Sequence, residues 1–423
     1  MTTRTLAPES PLLDHQTAKP ARWLVLLAAS QVAVLSLDFF KLGLTTQGGT
    51  DVGRWVVIAP GQVIFGIVLI VLSPHLLRVL RDTPGSLMIA WFTWNFITAW
   101  WSVDPRQTVI QTVGAVNLFV FGAWFVYLFG ITSWARVSAA AIGVIVAAGA
   151  YWQWLGPGPG FEDRFEGLSQ GFNLQGILCA FAILAAAIAL KGSKNHRRPI
   201  ALAIVILFVC LGATGGRMGM IAIAGSLGVL FFNQLIAPRN RHRTFAALAL
   251  LSVVSIIVFT RLDVYQREAA DGPLNGRDIL WGYAAELIAD SPLSGHGMMA
   301  GESIWKAAFV AGVVDFAGGS AHNMIIDVTV GGGLIGLGLL VAALVVITRR
   351  LWARRSSVGL SLMLLVILAG LTESLVHRPG LTHWVLGALV ALASQATESP
   401  HDVSTDDRPA STLAPQPLLG GRW

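Results

Sequence analysis

The chain has 423 residues, of which 54% are hydrophobic and 12% are charged, and its mean hydropathy is +0.66. So little charge cannot cover the surface of a soluble protein of this length, so the composition predicts a polytopic membrane protein. The formal net charge of +6 does not indicate nucleic-acid binding, because the basic residues lie in short loops between apolar segments, where they orient membrane helices.

Both ends of the chain are polar. Residues 1–20 and 397–423 are rich in polar residues and contain proline, which predicts two disordered tails. The first apolar run ends without a small-residue cleavage site, so it is predicted to be a retained membrane helix. The sequence therefore predicts one transmembrane domain over residues 21–396.

A helix that crosses the hydrocarbon core of a bilayer needs about 20 apolar residues, and about twelve segments of the chain meet this requirement. They lie near residues 22–40, 55–73, 85–103, 109–130, 134–155, 172–190, 199–214, 217–236, 244–260, 323–347, 357–376 and 380–395. The predicted fold class is all-α, with about twelve transmembrane helices and one large loop, residues 261–321, that carries short amphipathic helices.

Basic residues collect in every second loop between these segments. The four clusters are Arg78 and Arg81; Lys191, Lys194, Arg197 and Arg198; Arg239, Arg241 and Arg243; and Arg349, Arg350, Arg354 and Arg355. Because such loops remain in the cytoplasm, both termini are predicted to be cytoplasmic. The loops 156–171 and 261–321 are then predicted to face outward from the cytoplasmic membrane.

Residues 277–290 have apolar side chains at helical spacing, which predicts a short amphipathic helix at the membrane surface. Asn275 is its predicted N-cap, and Ser291-Pro292 ends it. Arg277 lies in its first turn, where free backbone N–H groups and the guanidinium could converge on an anion. The alternative is an exposed arginine that reaches lipid headgroups.

Two other arginines are candidates for the same task. Arg217 follows paired glycines in a short turn, on the side of the membrane where orientation does not require positive charge. Arg164 lies in the polar outward loop. On the residues alone, both arginines could be structural.

His322 and Asn323 stand where the apolar segment 323–347 begins. Gly331-Gly332-Gly333 follows inside that segment, where each glycine costs roughly 1 kcal/mol against alanine. This predicts close helix packing or an unwound turn. Asp327 is a carboxylate within the same segment. Because a charge is costly in lipid, Asp327 is predicted to face a cavity.

Three polar residues near the last two segments are further secondary candidates, together with Asp327. They are Glu373, His377 and Arg378. No metal site is predicted, because no tight cluster of ligands surrounds Asp315 or His322 in the sequence. The chain also has no phosphate loop, no catalytic-serine spacing and no dinucleotide fingerprint, so no cofactor is predicted.

The outward motifs resemble those of the bacterial O-antigen ligase and polymerase superfamily of membrane glycosyltransferases. Its ligases carry His-[Asn/Ser/Gln]-x9-Gly-x-x-Gly at the end of a large periplasmic loop. This chain has His322-Asn323, nine residues, and then Gly333-Leu334-Ile335-Gly336. Many members also carry a carboxylate two residues before the first motif glycine, where this chain has Gly331, so the role of Asp327 stays open.

Three earlier motifs strengthen the resemblance. The family loop has a Gly-Arg followed by a Trp and then Pro-Leu-x-Gly-x-Gly. The matching residues are Gly276-Arg277, Trp281 and Pro292-Leu293-Ser294-Gly295-His296-Gly297. A family arginine that follows small residues is similar to Arg217, and an early Arg-x-x-Gly…Asn pattern is similar to Arg164, Gly167 and Asn173.

The resemblance implies a glycosyl transfer from a polyisoprenyl-pyrophosphate-linked glycan donor to a hydroxyl of a glycan or lipid acceptor. His322 would be the general base, and Arg217, Arg277 and Arg164 would hold the pyrophosphate. Trp281 and Asn323 would help to bind substrate among membrane lipids. The family is expected to work without a metal.

Two other functions remain open on the sequence. The first is a repeat-unit polymerase of the same superfamily, in which the acceptor is another lipid-linked unit. The second is a membrane transporter or flippase, which would place polar groups near the membrane midplane on broken helices.

Overall fold

A computed structural model describes residues 74–155, 165, 167, 171–193, 196–232, 277–298, 300–314, 320–376 and 379–395. Several predictions lie outside these residues. They concern the two tails, the apolar segments 22–40, 55–73 and 244–260, the basic cluster 239–243, the N-cap Asn275, and the candidates Arg164, His377 and Arg378.

Within the described residues the structure is helical and has no strands, which confirms the all-α class. The helices are α1 Pro74–Arg81, α2 Thr83–Thr98, α3 Pro105–Ala150 with a π-helical turn Tyr151–Leu155, α4 Phe172–Lys191, α5 Arg197–Thr214, α6 Arg217–Leu230, α7 Arg277–Asp290, α8 Gly301–Val310, α9 Met324–Ala353, α10 Ser357–Gly370 and α11 Leu381–Ser394.

Four helical stretches of this described part are long and apolar enough to cross a membrane. They are Pro105–Gln153, Phe172–Lys191, Arg197–Thr214 and Met324–Ala353. Three shorter apolar helices, α6, α10 and α11, pack among them. The chain is an integral membrane protein, as its composition predicts.

Helix α3 is interrupted at Gly130. A straight helix of its 46 residues would measure about 69 Å, more than twice the hydrocarbon core of about 30 Å. Gly130 has non-helical angles, with φ 74° and ψ 164°, and Thr132 just after it lies against Gly192, which follows α4. The break falls at the predicted boundary between the segments 109–130 and 134–155.

Contacts between helix termini define two ends of the bundle. At one, the Arg350 guanidinium of α9 binds the carboxylate of Asp82, the N-cap of α2, and Lys191 Nζ lies 3.3 Å from Ser357 Oγ. We call this the Arg350 end. Helix α9 runs from there to His322, at what we call the His322 end.

The basic loops gather at the Arg350 end. The segment 78–82 contacts Arg350, and the segment 191–198 contacts the start of α10, which directly follows 349–355. Three of the four predicted basic clusters therefore lie at one end of the bundle, as an alternating topology requires.

The core lies where α3 packs against α11. Gly122 faces the backbone carbonyl of Trp384, and Gly387 faces that of Phe119, so closely that a Cβ on either glycine would clash. Small residues allow such close helix packing within a membrane. The buried Trp384 indole donates to Ser138 Oγ at 2.9 Å, which satisfies its N–H in an apolar core.

Helices α7 and α8 form a small second core on the beginning of α9. Its buried members are Leu280, Ala284, Ile304, Trp305, Ala308, Val314, Ala321 and Val330. The Tyr283 ring meets that of Trp305 edge to face, with centroids 5.9 Å apart. The apolar face of α7, predicted to lie on the membrane surface, packs against α8 and α9. It thereby holds α7 over the His322 end.

Candidate functional site

Two glycine motifs fit together backbone to backbone at the His322 end. Helix α9 breaks at Gly333, where φ is 65° and ψ is −171°, a conformation that favours glycine. A Cβ on Gly333 would overlap the Leu293 carbonyl, and one on Gly295 would overlap the backbone of Gly331. Both the close packing and the unwound turn predicted for the glycine run are present.

Hydrogen bonds from the 292–298 segment satisfy the backbone groups at this break. The Leu334 N–H donates to the Pro292 carbonyl, and the His296 N–H donates to the Val330 carbonyl, each at 2.9 Å. The indole N–H of Trp94 donates to the Gly332 carbonyl at 2.8 Å. The broken part of α9 is therefore a fixed element of the structure, held by the loop and by α2.

His322 lies in the turn that leads into α9, and its φ of 52° is unusual for a residue with a side chain. Asn323 is the N-cap of α9, because its Oδ1 accepts from the N–H groups of Ile325 and Ile326 at 2.9 and 3.2 Å. Its Nδ2 donates to the Leu371 carbonyl at 2.9 Å. In this structure, Asn323 fixes the backbone next to His322.

Glu373 joins His322 to Arg277. Its Oε2 lies 3.0 Å from His322 Nδ1, and its Oε1 lies 3.5 Å from Arg277 Nη2. The exposed fraction of the side chain is 12% for Glu373, 26% for His322 and 21% for Arg277. Because a carboxylate accepts, the Nδ1–H of His322 donates, which makes Nε2 the acceptor nitrogen when the ring is neutral.

The segment that carries Glu373 is not helical. The helix predicted over 357–376 ends at Gly370, and the Glu373 N–H donates back to the Ala369 carbonyl at 3.0 Å. Polar residues follow the apolar helix here, and they turn toward α9 instead of continuing α10. This early end brings Glu373 to His322.

Trp281 makes a second connection between α7 and the turn. Its indole N–H donates to the carbonyl of Ala321, the residue before His322, at 3.0 Å. Trp281 and Arg277 lie four residues apart and therefore on one face of α7. That face contacts both the His322 turn and Glu373.

Asp327 is buried in the first turns of α9, with 7% of its surface exposed. Its Oδ1 accepts from the Ala321 N–H at 2.9 Å, and its Oδ2 accepts from the Ser374 hydroxyl. Sequence reasoning did not identify Ser374. The only signal for it was the polar triplet of residues 372–374 at the end of an apolar segment.

Arg217 begins α6 two residues after Gly215, which has a left-handed φ of 66°, and its side chain is exposed. Since α5 starts near Lys191 at the Arg350 end and runs to the opposite end, Arg217 lies at the His322 end. Arg164 is outside the described residues. Its neighbour Phe165 donates its N–H to the Ala213 carbonyl at 2.9 Å, close to the start of α6.

The described site combines cations, a hydrogen-bonded imidazole and a carboxylate at one end of an apolar bundle. Its guanidinium and backbone N–H groups suit an anion such as a phosphate. Among the residues that the structure describes, no three His, Cys, Asp or Glu side chains come together as metal ligands would.

Comparison with known proteins agrees with this arrangement. Residues 202–341, about a third of the chain, match the family model described as O-antigen ligase. The match includes Arg217, Arg277 and His322, whereas Glu373 lies beyond it. A search of curated proteins finds no match. The resemblance carried by the sequence motifs is thus confirmed: residues 202–341 match the O-antigen ligase family, and this match indicates a membrane glycosyltransferase of ligase or polymerase type.

Proposed function

We propose that this protein transfers a glycan from a polyisoprenyl-pyrophosphate carrier to an acceptor hydroxyl at the outer face of the cytoplasmic membrane. The observation that carries the proposal is the chain of contacts from Arg277 through Glu373 to His322. These contacts join a group suited to bind phosphate to a group suited to accept a proton. The family match includes both Arg277 and His322.

In this reaction the Nε2 of His322 accepts the proton of the acceptor hydroxyl. The acceptor oxygen forms a bond to the anomeric carbon of the donor, and the bond from that carbon to the pyrophosphate oxygen breaks. The polyisoprenyl pyrophosphate leaves with its negative charge, which Arg277 and Arg217 stabilise, with Arg164 as a third candidate. Glu373 accepts the Nδ1–H and stabilises the imidazolium that forms.

An apolar groove along α9 is a further argument for a lipid-linked substrate. Its volume is about 590 Å³, and it follows α9 from Met324 to Trp352. Leu371 lines it at the His322 end, where Asn323 donates to the Leu371 carbonyl. A hydrocarbon tail in this groove would place its headgroup beside His322.

The proposal includes a topology. We propose about twelve transmembrane helices in a domain over residues 21–396, with tails at 1–20 and 397–423 in the cytoplasm. The catalytic loop 261–321 then faces outward. Three basic loops lie together at the Arg350 end of the bundle. This supports the orientation, since positively charged loops remain on the cytoplasmic side.

Deletion of the protein tests the proposal in cells. Lipid-linked glycans should accumulate in the deletion strain, and wild-type protein should restore their transfer. An unchanged pool of lipid-linked glycan would contradict the proposal. Chain length distinguishes the two types of activity: full-length unattached chains indicate a ligase, whereas single repeat units indicate a polymerase.

Reconstituted liposomes test the transport alternative. Under the proposed function, purified protein transfers glycan when donor and acceptor are supplied on the same face of the membrane. Movement of the lipid-linked glycan across the bilayer without any transfer would instead assign the protein to the flippases.

A further inference from the structure

We propose that Asp327 and Ser374 are positioning residues that fix the distance between His322 and Glu373. The inference rests on the proposed function, because it assigns a role within that site. It goes further by naming the contact that holds two separate segments of chain in the geometry required for proton transfer.

A single buried carboxylate contacts the neighbour of each member of the pair. Asp327 Oδ1 accepts from the N–H of Ala321, the residue before His322, at 2.9 Å. Its Oδ2 accepts from the hydroxyl of Ser374, the residue after Glu373. Asp327 therefore links the residue before His322 to the residue after Glu373. This second connection lies beside the contact between His322 Nδ1 and Glu373 Oε2, which are 3.0 Å apart.

The two segments need such a connection for physical reasons. His322 has a left-handed φ of 52°, a strained conformation that persists only where the surrounding structure imposes it. Glu373 lies beyond the end of α10, so helix geometry does not set its position. Asp327, which α9 holds rigidly, provides one reference point for both.

The contacts of Asp327 also argue against a direct catalytic role. Asp327 is only 7% exposed, and each of its carboxylate oxygens accepts a hydrogen bond, Oδ1 from Ala321 and Oδ2 from Ser374. A general base needs a free lone pair that reaches the substrate hydroxyl. Under the proposed function His322 is that base, and Asp327 acts through His322.

Ser374→Ala is the most selective test, because it removes one arm of the connection and leaves Asp327 in place. Turnover should fall about 10- to 100-fold if a hydrogen bond to a charged group, about 1.5–3 kcal/mol, is lost from the organised site. The KM for the donor should not change. Ser374→Thr keeps the hydroxyl and should restore turnover.

Ser361→Ala is the matched control. Ser361 is a buried serine of α10 whose hydroxyl donates to the Val358 carbonyl at 2.8 Å within its own helix. This variant should keep wild-type turnover. Asp327→Ala, which removes both arms, should lose at least as much activity as Ser374→Ala.

Combination with Glu373→Gln separates positioning from general stability. If Ser374 acts through the His322–Glu373 pair, Ser374→Ala should have little further effect once Glu373→Gln has broken the pair. The ¹⁵N resonances of the His322 imidazole, assigned with His322→Gln, should shift in Ser374→Ala and not in Ser361→Ala.

Two results would overturn the inference: an unchanged His322 resonance with wild-type turnover in Ser374→Ala, or an equal loss of turnover with and without Glu373→Gln. Failure of the proposed function looks different. In that case the wild-type protein would transfer no glycan while the His322 resonance still shifted in Ser374→Ala, which would leave the positioning role standing.

Discussion

His322 and Glu373 are 51 residues apart in sequence and 3.0 Å apart in the structure. The histidine could be predicted because it begins an apolar segment and matches a spaced glycine motif. The role of Glu373 could not be predicted, because its position near the end of an apolar segment carries no information about its contacts with α7 or α9. Tertiary contacts of this kind arise where a predicted helix ends early, as α10 does at Gly370.

Glu373→Gln tests the carboxylate at the centre of the site. Glutamine has nearly the same size and keeps a hydrogen-bond acceptor, but it cannot stabilise the imidazolium or pair with Arg277. Turnover should fall about 10- to 100-fold, which corresponds to the 1.5–3 kcal/mol of a charged hydrogen bond. Glu286→Gln, on the exposed side of α7, is the control and should behave as wild type. Full activity of Glu373→Gln would remove Glu373 from the mechanism.

Arginine-to-lysine substitutions test the pyrophosphate site. Arg277→Lys and Arg217→Lys keep the charge but lose the planar fork that bonds two oxygens at once. Each should reduce transfer about 10-fold or more, by the same energy scale of charged hydrogen bonds. Arg198→Lys, in an exposed position at the Arg350 end, should have no effect. Wild-type turnover in both test variants, at equal expression, would reduce these arginines to lipid-headgroup contacts.

At the scale of elements, the break in α9 is explained by its partner segment. The glycine run predicted an irregular helix, but it could not predict that the segment 292–297 packs against the break. The reason is that the fit is made by backbone atoms: Leu293 and Gly295 contact Gly333 and Gly331 through their main chains. Side-chain patterns carry little information about such a contact.

Gly333→Ala tests this fit. A Cβ there meets the Leu293 carbonyl and a left-handed φ, so we expect a loss of about 1–3 kcal/mol and a clearly lower melting temperature in detergent. Gly338→Ala is the matched control, since Gly338 is in the same helix and a Cβ there meets nothing within 4 Å. Helix propensity should make this control neutral or up to about 1 kcal/mol more stable. Equal melting temperatures for the two variants would contradict the described packing.

On the scale of the whole molecule, hydropathy predicted the positions of the described membrane-spanning helices more closely than their ends. The segments 172–190 and 199–214 correspond to α4 and α5 within two residues at each end. The segment 323–347 extends to Ala353 in α9, because helix geometry continues past the apolar run into the basic residues. Hydropathy identifies what lies in lipid, whereas helix ends depend on caps and turns.

Cysteine accessibility tests the proposed orientation. Cys179 and Cys210 are buried, so new exposed cysteines can be labelled over a low background. Asp290→Cys replaces a side chain that is 79% exposed at the end of α7 and should react with an impermeant reagent in intact cells. His196→Cys, an exposed position between α4 and α5, should react only after the membrane is opened. The reverse pattern would overturn the orientation.

The most direct test of the central claim is the transfer rate of His322→Gln. The assay uses purified protein in proteoliposomes, donor lipid from the deletion strain, and acceptor from the same envelope. Glutamine can still donate and accept hydrogen bonds at this position but cannot take the proton, so the rate should fall by about 10²–10⁴ while the donor remains bound. His196→Gln should transfer at the wild-type rate. A wild-type rate in His322→Gln with bound donor would show that His322 is not the base and would contradict the account.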